Sequence, residues 1–460
     1  MECDPLSRLI VISNRVQAPS ADTKGAQGGL AVALTAALRE ADGIWFGWSG
    51  ETGETGDLNF ATFDGVTSAT IDLPEQDVDE YYNGYANRTL WPLFHYRLGL
   101  TEFERDFQGG YERVNRIFGE KIGPHIRPDD LIWVHDYHLI PLGWVLRQQG
   151  LSNRLGFFLH IPWPPTRLLT ALPEHRRLVE ALFAYDVVGF QTREWLETFH
   201  DYVVNQMGGS IGADDRITVG GRTITAIACP IGIDSEEFIA SANSPTAVAT
   251  HGRMVKSSIG RSMIIGVDRL DYSKGLEERF NGYQRYLETR PDAHTNVYLL
   301  QIAPPSRASV QSYRDIRAQL DELSGRINGA FADIDWVPLR YVNQGFPRDI
   351  LAGVHRAARV GLVTPLRDGM NLVAKEYVAA QDPGDPGVLI LSRFAGAAEQ
   401  LGQALLVNPY SADDIADAIE QALAMPLEER IARWRPMFDN VCREDVIWWR
   451  RRFTSMLIKH

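Results

Sequence analysis

Cysteine is scarce in this sequence. Three occur in 460 residues, Cys3, Cys229 and Cys442, far apart, odd in number and without metal-ligand spacing. A disulfide framework is thereby excluded, and a reduced, cytoplasmic protein is the plain expectation. Long apolar runs are missing as well. None reaches the roughly 18 residues a membrane helix needs. The opening Met1-Glu2-Cys3-Asp4-Pro5 lacks the basic and apolar regions of a signal peptide. Positive charge is in deficit, since 46 basic against 59 acidic residues leave a net charge of −13. A nucleic acid or an anionic membrane would favour the opposite balance. No G-x-G-x-x-G follows a strand with an acidic residue behind it, which argues against a nicotinamide-dependent dehydrogenase. If the ligands are anionic, the charge that holds them must be local. Single Arg and Lys residues inside motifs then say more than the total.

What is present is an ordinary globular composition, 45% apolar and 23% charged, in a chain long enough for two or three domains. Short apolar runs alternate with helix-like segments. Leu9–Ser13, Leu131–His135, Leu155–His160, Asp186–Gln191, Ile224–Cys229, Met263–Val267, Val297–Ile302, Val360–Thr364, Val388–Leu391 and Leu405–Val407 read as strands. Several are apolar throughout, as expected of parallel strands covered on both faces. The class is therefore α/β, built from right-handed βαβ units. A boundary suggests itself after Pro230-Ile231-Gly232-Ile233-Asp234. In the tail, Val446, Trp449, Phe453 and Met456 share one helical face, and Arg450-Arg451-Arg452 reads as a solvated face.

The richest stretch is Leu362-Val363-Thr364-Pro365-Leu366-Arg367-Asp368-Gly369-Met370-Asn371-Leu372-Val373-Ala374-Lys375-Glu376. An apolar strand turns through Pro365 and Gly369 into a helix over 372–381. Ligands of parallel sheets bind at the carboxyl ends of strands. A helix start adds unpaired N–H groups that suit a phosphate. Asp268-Arg269-Leu270-Asp271-Tyr272-Ser273-Lys274-Gly275 follows another strand. Arg269 and Lys274 could both reach one diphosphate, the former as a fork and the latter as a point charge. Salt bridges to Asp268 or Asp271 are the alternative. Arg307 follows a third strand in similar fashion. Ser13-Asn14-Arg15 ends the first strand, and Gly28-Gly29-Leu30 opens the helix expected over 31–39. His135-Asp136-Tyr137-His138 puts protonatable groups at a strand end. Asp136 is the better candidate there, with His138 a satisfied histidine beneath the loop. His160 ends a strand ahead of the stiff Ile161-Pro162-Trp163-Pro164-Pro165. Tyr81-Tyr82, Trp91 and the Trp45/Trp48 pair supply faces on which sugars could stack.

Taken in order, Ser13-Asn14-Arg15, Gly28-Gly29-Leu30, Trp45-Phe46-Gly47-Trp48-Ser49-Gly50, His135-Asp136-Tyr137-His138, Phe158-Leu159-His160-Ile161-Pro162, Arg269 to Gly275 and Arg367 to Glu376 resemble the bacterial trehalose-6-phosphate synthases of glycosyltransferase family 20. The resemblance runs from Leu9 to about Phe453, and its last two motifs are highly specific. One departure is Trp163-Pro164-Pro165-Thr166-Arg167, where an acidic residue is expected near Arg167.

The resemblance implies a GT-B fold, two Rossmann-like domains whose parallel sheets face across a cleft. An acceptor-binding domain would span 1–235 and a nucleotide-sugar-binding domain 236–440, with the helix of 441–460 returning to the first. The implied activity is transfer of glucose from a nucleotide glucose, usually UDP-glucose, to glucose 6-phosphate, giving α,α-trehalose 6-phosphate with retained configuration. Arg15 and Arg307 would bind the acceptor phosphate, with Tyr82 and Trp91 beside them. Trp48 and Asp136 would line the acceptor sugar. Arg269 and Lys274 would hold the donor diphosphate under a loop formed by Gly28 and Gly29. Asp368 would bind hydroxyls of the transferred glucose, helped by the backbone of Gly369, Met370, Asn371, Leu372 and Val373. Glu376 would take the ribose, and His160 would lie near the donor sugar. Retention could follow a carboxylate nucleophile or front-face attack. No cofactor or metal is implied, and relatives of this kind form homo-oligomers, dimers or tetramers. A different phosphorylated acceptor, or a catalytically silent sensor, are the rival readings.

Overall fold

The computed structural model describes residues 8–16, 38, 42–63, 65–212, 214–291, 296–306 and 310–459. The chain divides into two compact units, one of Met1–Pro230 with Ile447–His460 and one of Ile231–Val446.

The first unit is built on β1 (Leu9–Arg15), β2 (Ile44–Thr52), β3 (Asn59–Phe63), β4 (Val66–Leu73), β5 (Leu131–His135), β6 (Leu155–Phe158), β7 (Val187–Phe190), β8 (Ser210–Ile211), β9 (Arg216–Val219) and β10 (Arg222–Ala228). The sheet order among the described residues is β3-β4-β2-β1-β5-β6-β7-β10-β9-β8. From β4 to β10 every pairing is parallel, while β3, β9 and β8 add antiparallel edges. β5, β6 and β7 are buried from end to end, as their unbroken apolar runs require.

Helix Val446–Lys459 belongs to this unit from Ile447 on and covers the sheet. The Phe453 ring stacks flat on Trp133, with centroids 4.5 Å apart and planes at 6°. It fits because Gly156 and Gly189 lack side chains, and a Cβ there would stand 2.7 and 2.8 Å from the ring. Trp449 and Leu457 are fully buried beside it. Two expectations need correction. Leu457, rather than Met456, completes the buried face. Arg450 is buried, so only Arg451 and Arg452 form a solvated face.

The second unit carries β11 (Ser262–Val267), β12 (Val297–Ile302), β13 (Leu339–Val342), β14 (Val360–Val363), β15 (Val388–Ser392) and β16 (Leu405–Val407). All pairings are parallel, in the order β13-β12-β11-β14-β15-β16. Counted within the unit this is 3-2-1-4-5-6, the Rossmann order.

Five of the strands, β2, β3, β4, β9 and β13, and the short β8 were not anticipated. β2 hid behind its tryptophans, and the others are short or interrupted by Thr, Ser, Asn and charged residues. The helix expected over 31–39 lies almost wholly outside the described residues.

Strand order reverses once in each parallel set, between β1 and β5 in the first and between β11 and β14 in the second. Such a reversal leaves a crevice at the carboxyl ends of the two strands, where open α/β sheets bind ligands. Arg15 and Asp136 flank one reversal. The segments bearing Arg269, Lys274 and Asp368 flank the other.

Candidate active site

In the second unit, β11 runs into Asp268 and Arg269, then into a 3-10 turn over Tyr272–Lys274. The Asp271 carboxylate holds that turn, accepting from Ser273 N at 2.9 Å and from the Tyr313 hydroxyl at 3.0 Å. Gly275 closes it at φ +63°, where a Cβ would stand 2.2 Å from the Thr364 carbonyl oxygen, so glycine is required. Lys274 Nζ donates to Asp368 Oδ2 across the reversal. Asp368 also accepts from Asn371 Nδ2 at 3.1 Å and Met370 N at 3.4 Å. Its own backbone is clamped by Phe394 O at 3.2 Å and Gly396 N at 3.0 Å.

Asn371 then starts helix Leu372–Ala380 from φ +78°, its side chain accepting from Ala374 N at 3.2 Å. The N–H groups of Leu372 and Val373 have no partner within the helix, as in any first turn. Arg269 is exposed and has no carboxylate partner among the described residues. Glu376, one turn into the helix, has no hydrogen-bonding partner there either. Burial pushes its carboxyl up, with Arg348 opposing. An unpaired guanidinium, an ammonium, two carboxylates and a helix start thus share one crevice. Anion, hydroxyl and ribose chemistry can all be served there.

In the first unit, Arg15 ends β1 as an exposed cation, likewise without a carboxylate partner among the described residues. Its guanidinium carbon lies 5.8 Å from the Trp48 ring centroid. It also lies across Gly50, φ +94°, where a Cβ would meet its Nε at 2.2 Å. Tyr82 stands 5.5 Å from Trp48, edge to face, and 6.1 Å from the His138 ring, stacked. A π-helical segment, Val78–Leu90, carries Tyr81 and Tyr82. Tyr81 donates to Asn14 Oδ1 at 2.7 Å, fixing the segment to the end of β1. Such wide turns are frequent at functional sites.

Trp91 is buried against His95 and Tyr137, with ring centroids 4.1 and 5.7 Å away, and is not brought into contact with Arg15, Trp48 or Tyr82 by any ring pairing among the described residues. Asp136 sits at φ +74°, an uncommon conformation for an aspartate. Its carboxylate accepts from His160 N at 3.2 Å, and its N–H donates to Phe158 O at 2.8 Å. The ends of β5 and β6 are thereby joined. His160 Nε2 faces His135 Nδ1 at 3.1 Å, and His160 Nδ1 faces Gln191 Nε2 at 3.2 Å. With the Gln191 amide nitrogen donating, the imidazole proton of His160 sits on Nε2. Burial holds His160 down at about 3 and His135 well below its ordinary value, so both rings are neutral near pH 7.

The structure brings Arg15, Trp48 and Tyr82 together, Asp136 with His160, and Lys274 with Asp368 and the start of the Glu376 helix. Gly28, Gly29 and Arg307 lie outside the described residues. Sequence reasoning gave no role to Gly50, Asn14, Gln191 or Arg279. Gly50 and Asn14 stand inside quoted motifs, so the signal was there. Gln191 and Arg279 act through buried contacts that no motif announces. Among the described residues no group of side chains is arranged to hold a metal ion, and no helix is long and apolar enough to cross a membrane.

Two Rossmann-like parallel sheets with cations, carboxylates and aromatics at their strand reversals define an α/β nucleotide-sugar transferase of the GT-B type. The chain belongs to glycosyltransferase family 20, whose model matches residues 7–459. It is 49% identical over 456 residues to a trehalose-6-phosphate synthase of Sinorhizobium fredii (strain NBRC 101917 / NGR234), covering 98% of each chain. A crystal structure of a UDP-forming α,α-trehalose-phosphate synthase from Burkholderia xenovorans in complex with glucose 6-phosphate superposes with a TM-score of 0.93 at 49% identity, covering 98% of this chain and 100% of that one. The E. coli protein bound with UDP-2-fluoro glucose gives 0.94 at 47% identity, covering 98% and 99%.

Proposed function

We propose that this chain is a retaining glucosyltransferase that makes α,α-trehalose 6-phosphate from UDP-glucose and glucose 6-phosphate, the first step of trehalose biosynthesis. The observation that carries the reading is the crevice between β11 and β14, where Lys274 meets Asp368 beside the exposed Arg269. The second unit binds the donor and the first the acceptor.

The bond that breaks joins the anomeric carbon of glucose to a diphosphate oxygen. Negative charge builds on the departing UDP, and Arg269 and Lys274 stabilise it in place. Asp368 accepts from hydroxyls of the transferred glucose, Gly369 to Val373 offer N–H groups, and Glu376 accepts from the ribose. Gly28 and Gly29 belong to the donor-phosphate site. Arg15 and Arg307 bind the acceptor phosphate, with Tyr82, Trp48 and Trp91 shaping the pocket. Asp136 orients the acceptor sugar, and His160, neutral and fixed by Gln191 and His135, lies near the donor sugar. In front-face attack the acceptor hydroxyl bonds to the anomeric carbon on the side the diphosphate leaves. Its proton passes to the leaving phosphate oxygen, so no protein nucleophile is consumed. The enzyme works in the cytoplasm as a homo-oligomer.

The test is an initial-rate assay of UDP release with UDP-glucose, run with glucose 6-phosphate, glycerol 3-phosphate or an inositol phosphate, and NMR of the product. The expected result is release with glucose 6-phosphate only and an α,α-linked product. Turnover with another acceptor and none with glucose 6-phosphate would refute it.

A further inference from the structure

Arg279 is the one arginine among the described residues that is wholly buried. It stands on the first turn of helix Leu276–Thr289, the helix that follows the Arg269–Lys274 loop. Its side chain runs back beneath that loop. Nη1 lies 2.7 Å from Asp268 Oδ2 and donates to Gln301 Oε1 at 2.8 Å. Nε donates to Thr364 Oγ1 at 3.0 Å, and Nη2 reaches the Lys274 carbonyl oxygen at 3.4 Å. One planar fork thus joins the carboxyl ends of β11, β12 and β14 to the residue that faces Asp368. A lysine could not make this set of contacts.

The surrounding sequence is cut to fit. Gly266 of β11 lies where a Cβ would meet Gln301 Oε1 at 2.3 Å and Arg279 Nη1 at 2.7 Å. A buried ion pair is weak evidence for stability, because such pairs can often be replaced by well-packed apolar residues at little or no loss. Asp268 is buried against Arg279; burial pushes its carboxyl up, while the cations of Arg279 and Lys274 favour its charged form. Left alone, that charge would oppose any anion that Lys274 and Arg269 receive.

We propose that Arg279 is a positioning residue of the donor site. Its guanidinium fixes the Arg269–Lys274 loop at the strand reversal and cancels the charge of Asp268 beneath it. The inference rests on the reading of this crevice as the diphosphate site, and Arg279 itself touches no substrate.

The experiment compares wild type, Arg279→Met, Arg279→Lys and the double variant Arg279→Met/Asp268→Asn. UDP affinity is measured by calorimetry, and KM and kcat are measured for both substrates. Arg279→Met should weaken UDP binding and lower kcat/KM for UDP-glucose by roughly 10- to 100-fold, the scale of a small misplacement of reacting groups. KM for glucose 6-phosphate should stay within about twofold, well short of the tenfold that 1.4 kcal/mol represents. Removing the uncancelled charge in the double variant should recover part of the UDP affinity, which a purely structural role would not do. If Arg279→Met does not fold, Arg279→Lys decides alone. It keeps the charge but not the fork, so a selective loss for UDP is expected. Wild-type UDP affinity in either folded single variant, or equal losses for both substrates, would overturn the proposal. Failure of the wild type itself to bind UDP would instead sink the reading of the crevice, and the proposal with it.

Discussion

The two strand reversals do the same topological job with different means. Between β11 and β14 the charges are interlocked. Lys274 pairs with Asp368, Asp368 is gripped by Asn371 and its own loop, and Arg279 ties the floor to three strands. Between β1 and β5 the Arg15 guanidinium lies over Trp48 and a glycine, and the described surroundings are aromatic. The first arrangement suits a diphosphate whose charge changes during reaction, since preorganised groups there need not move as charge develops. The second suits a fixed phosphate on a sugar, which must be recognised and aligned. On the proposed reading one region serves catalysis and the other recognition, and variants should separate them.

The largest effect is expected at the interlocked end. Lys274→Ala should cost about 2–4 kcal/mol of transition-state stabilisation, as when an oxyanion donor is lost. In rate that is roughly 30- to 1,000-fold, read as kcat in the UDP-release assay. Arg269→Ala should fall in the same range. Near-normal turnover in either would dissolve the distinction. Next comes Arg15→Ala. Loss of one charge-assisted contact, about 1.5–3 kcal/mol, should raise KM for glucose 6-phosphate roughly 10- to 150-fold and leave that for UDP-glucose nearly unchanged. A rise confined to the donor would place Arg15 elsewhere.

A third prediction concerns the second unit alone. Lys375 is buried, donating to Ile231 O at 2.7 Å and Gln400 Oε1 at 2.6 Å, and burial pushes its amine down to about 7, with Glu444 opposing. Below that value the amine is charged in both folded and unfolded chains, and the cost of burying the charge is present in full. Between about 7 and its ordinary 10.5 only the unfolded chain holds the proton, so native stability rises with pH. The contribution has a limiting slope of about 1.4 kcal/mol per pH unit. Urea midpoints across this range should show that slope in wild type, and Lys375→Met should lack it.

The smallest effect belongs to Gly50→Ala. It should displace the Arg15 guanidinium and raise KM for glucose 6-phosphate about fivefold, near 1 kcal/mol, without touching kcat. A drop in kcat equal to that of Lys274→Ala would mean that the recognition site does catalytic work.

Much of this was legible in the sequence, for physical reasons that differ by residue. Strands buried on both faces are apolar throughout, so β5 and β12 were bounded to the residue. Arg269, Lys274 and Asp368 could be proposed because a charge just past an apolar strand stands where parallel sheets bind ligands, and the structure does bring Lys274 and Asp368 together. β4 and β13 stayed hidden because polar residues break their apolar runs, Thr67, Ser68, Thr70 and Asp72 in the first and Arg340 in the second. Arg279 stayed hidden for another reason. It follows Glu277 and Glu278, so it reads as part of a solvated helix face, although it shares the buried face with Leu276, Phe280 and Tyr283. Arg450 misled in the same way within its run of three. A charge in a charged neighbourhood gives no sign that it is buried. That information lies in the packing.

The central claim is that the two crevices hold different phosphates. It is tested most directly by titrating UDP into the Arg269→Ala and Arg15→Ala proteins by calorimetry beside wild type. The account predicts weakened UDP binding in the first and wild-type affinity in the second. Equal affinities in the two variants, or a loss found only with Arg15→Ala, would contradict it.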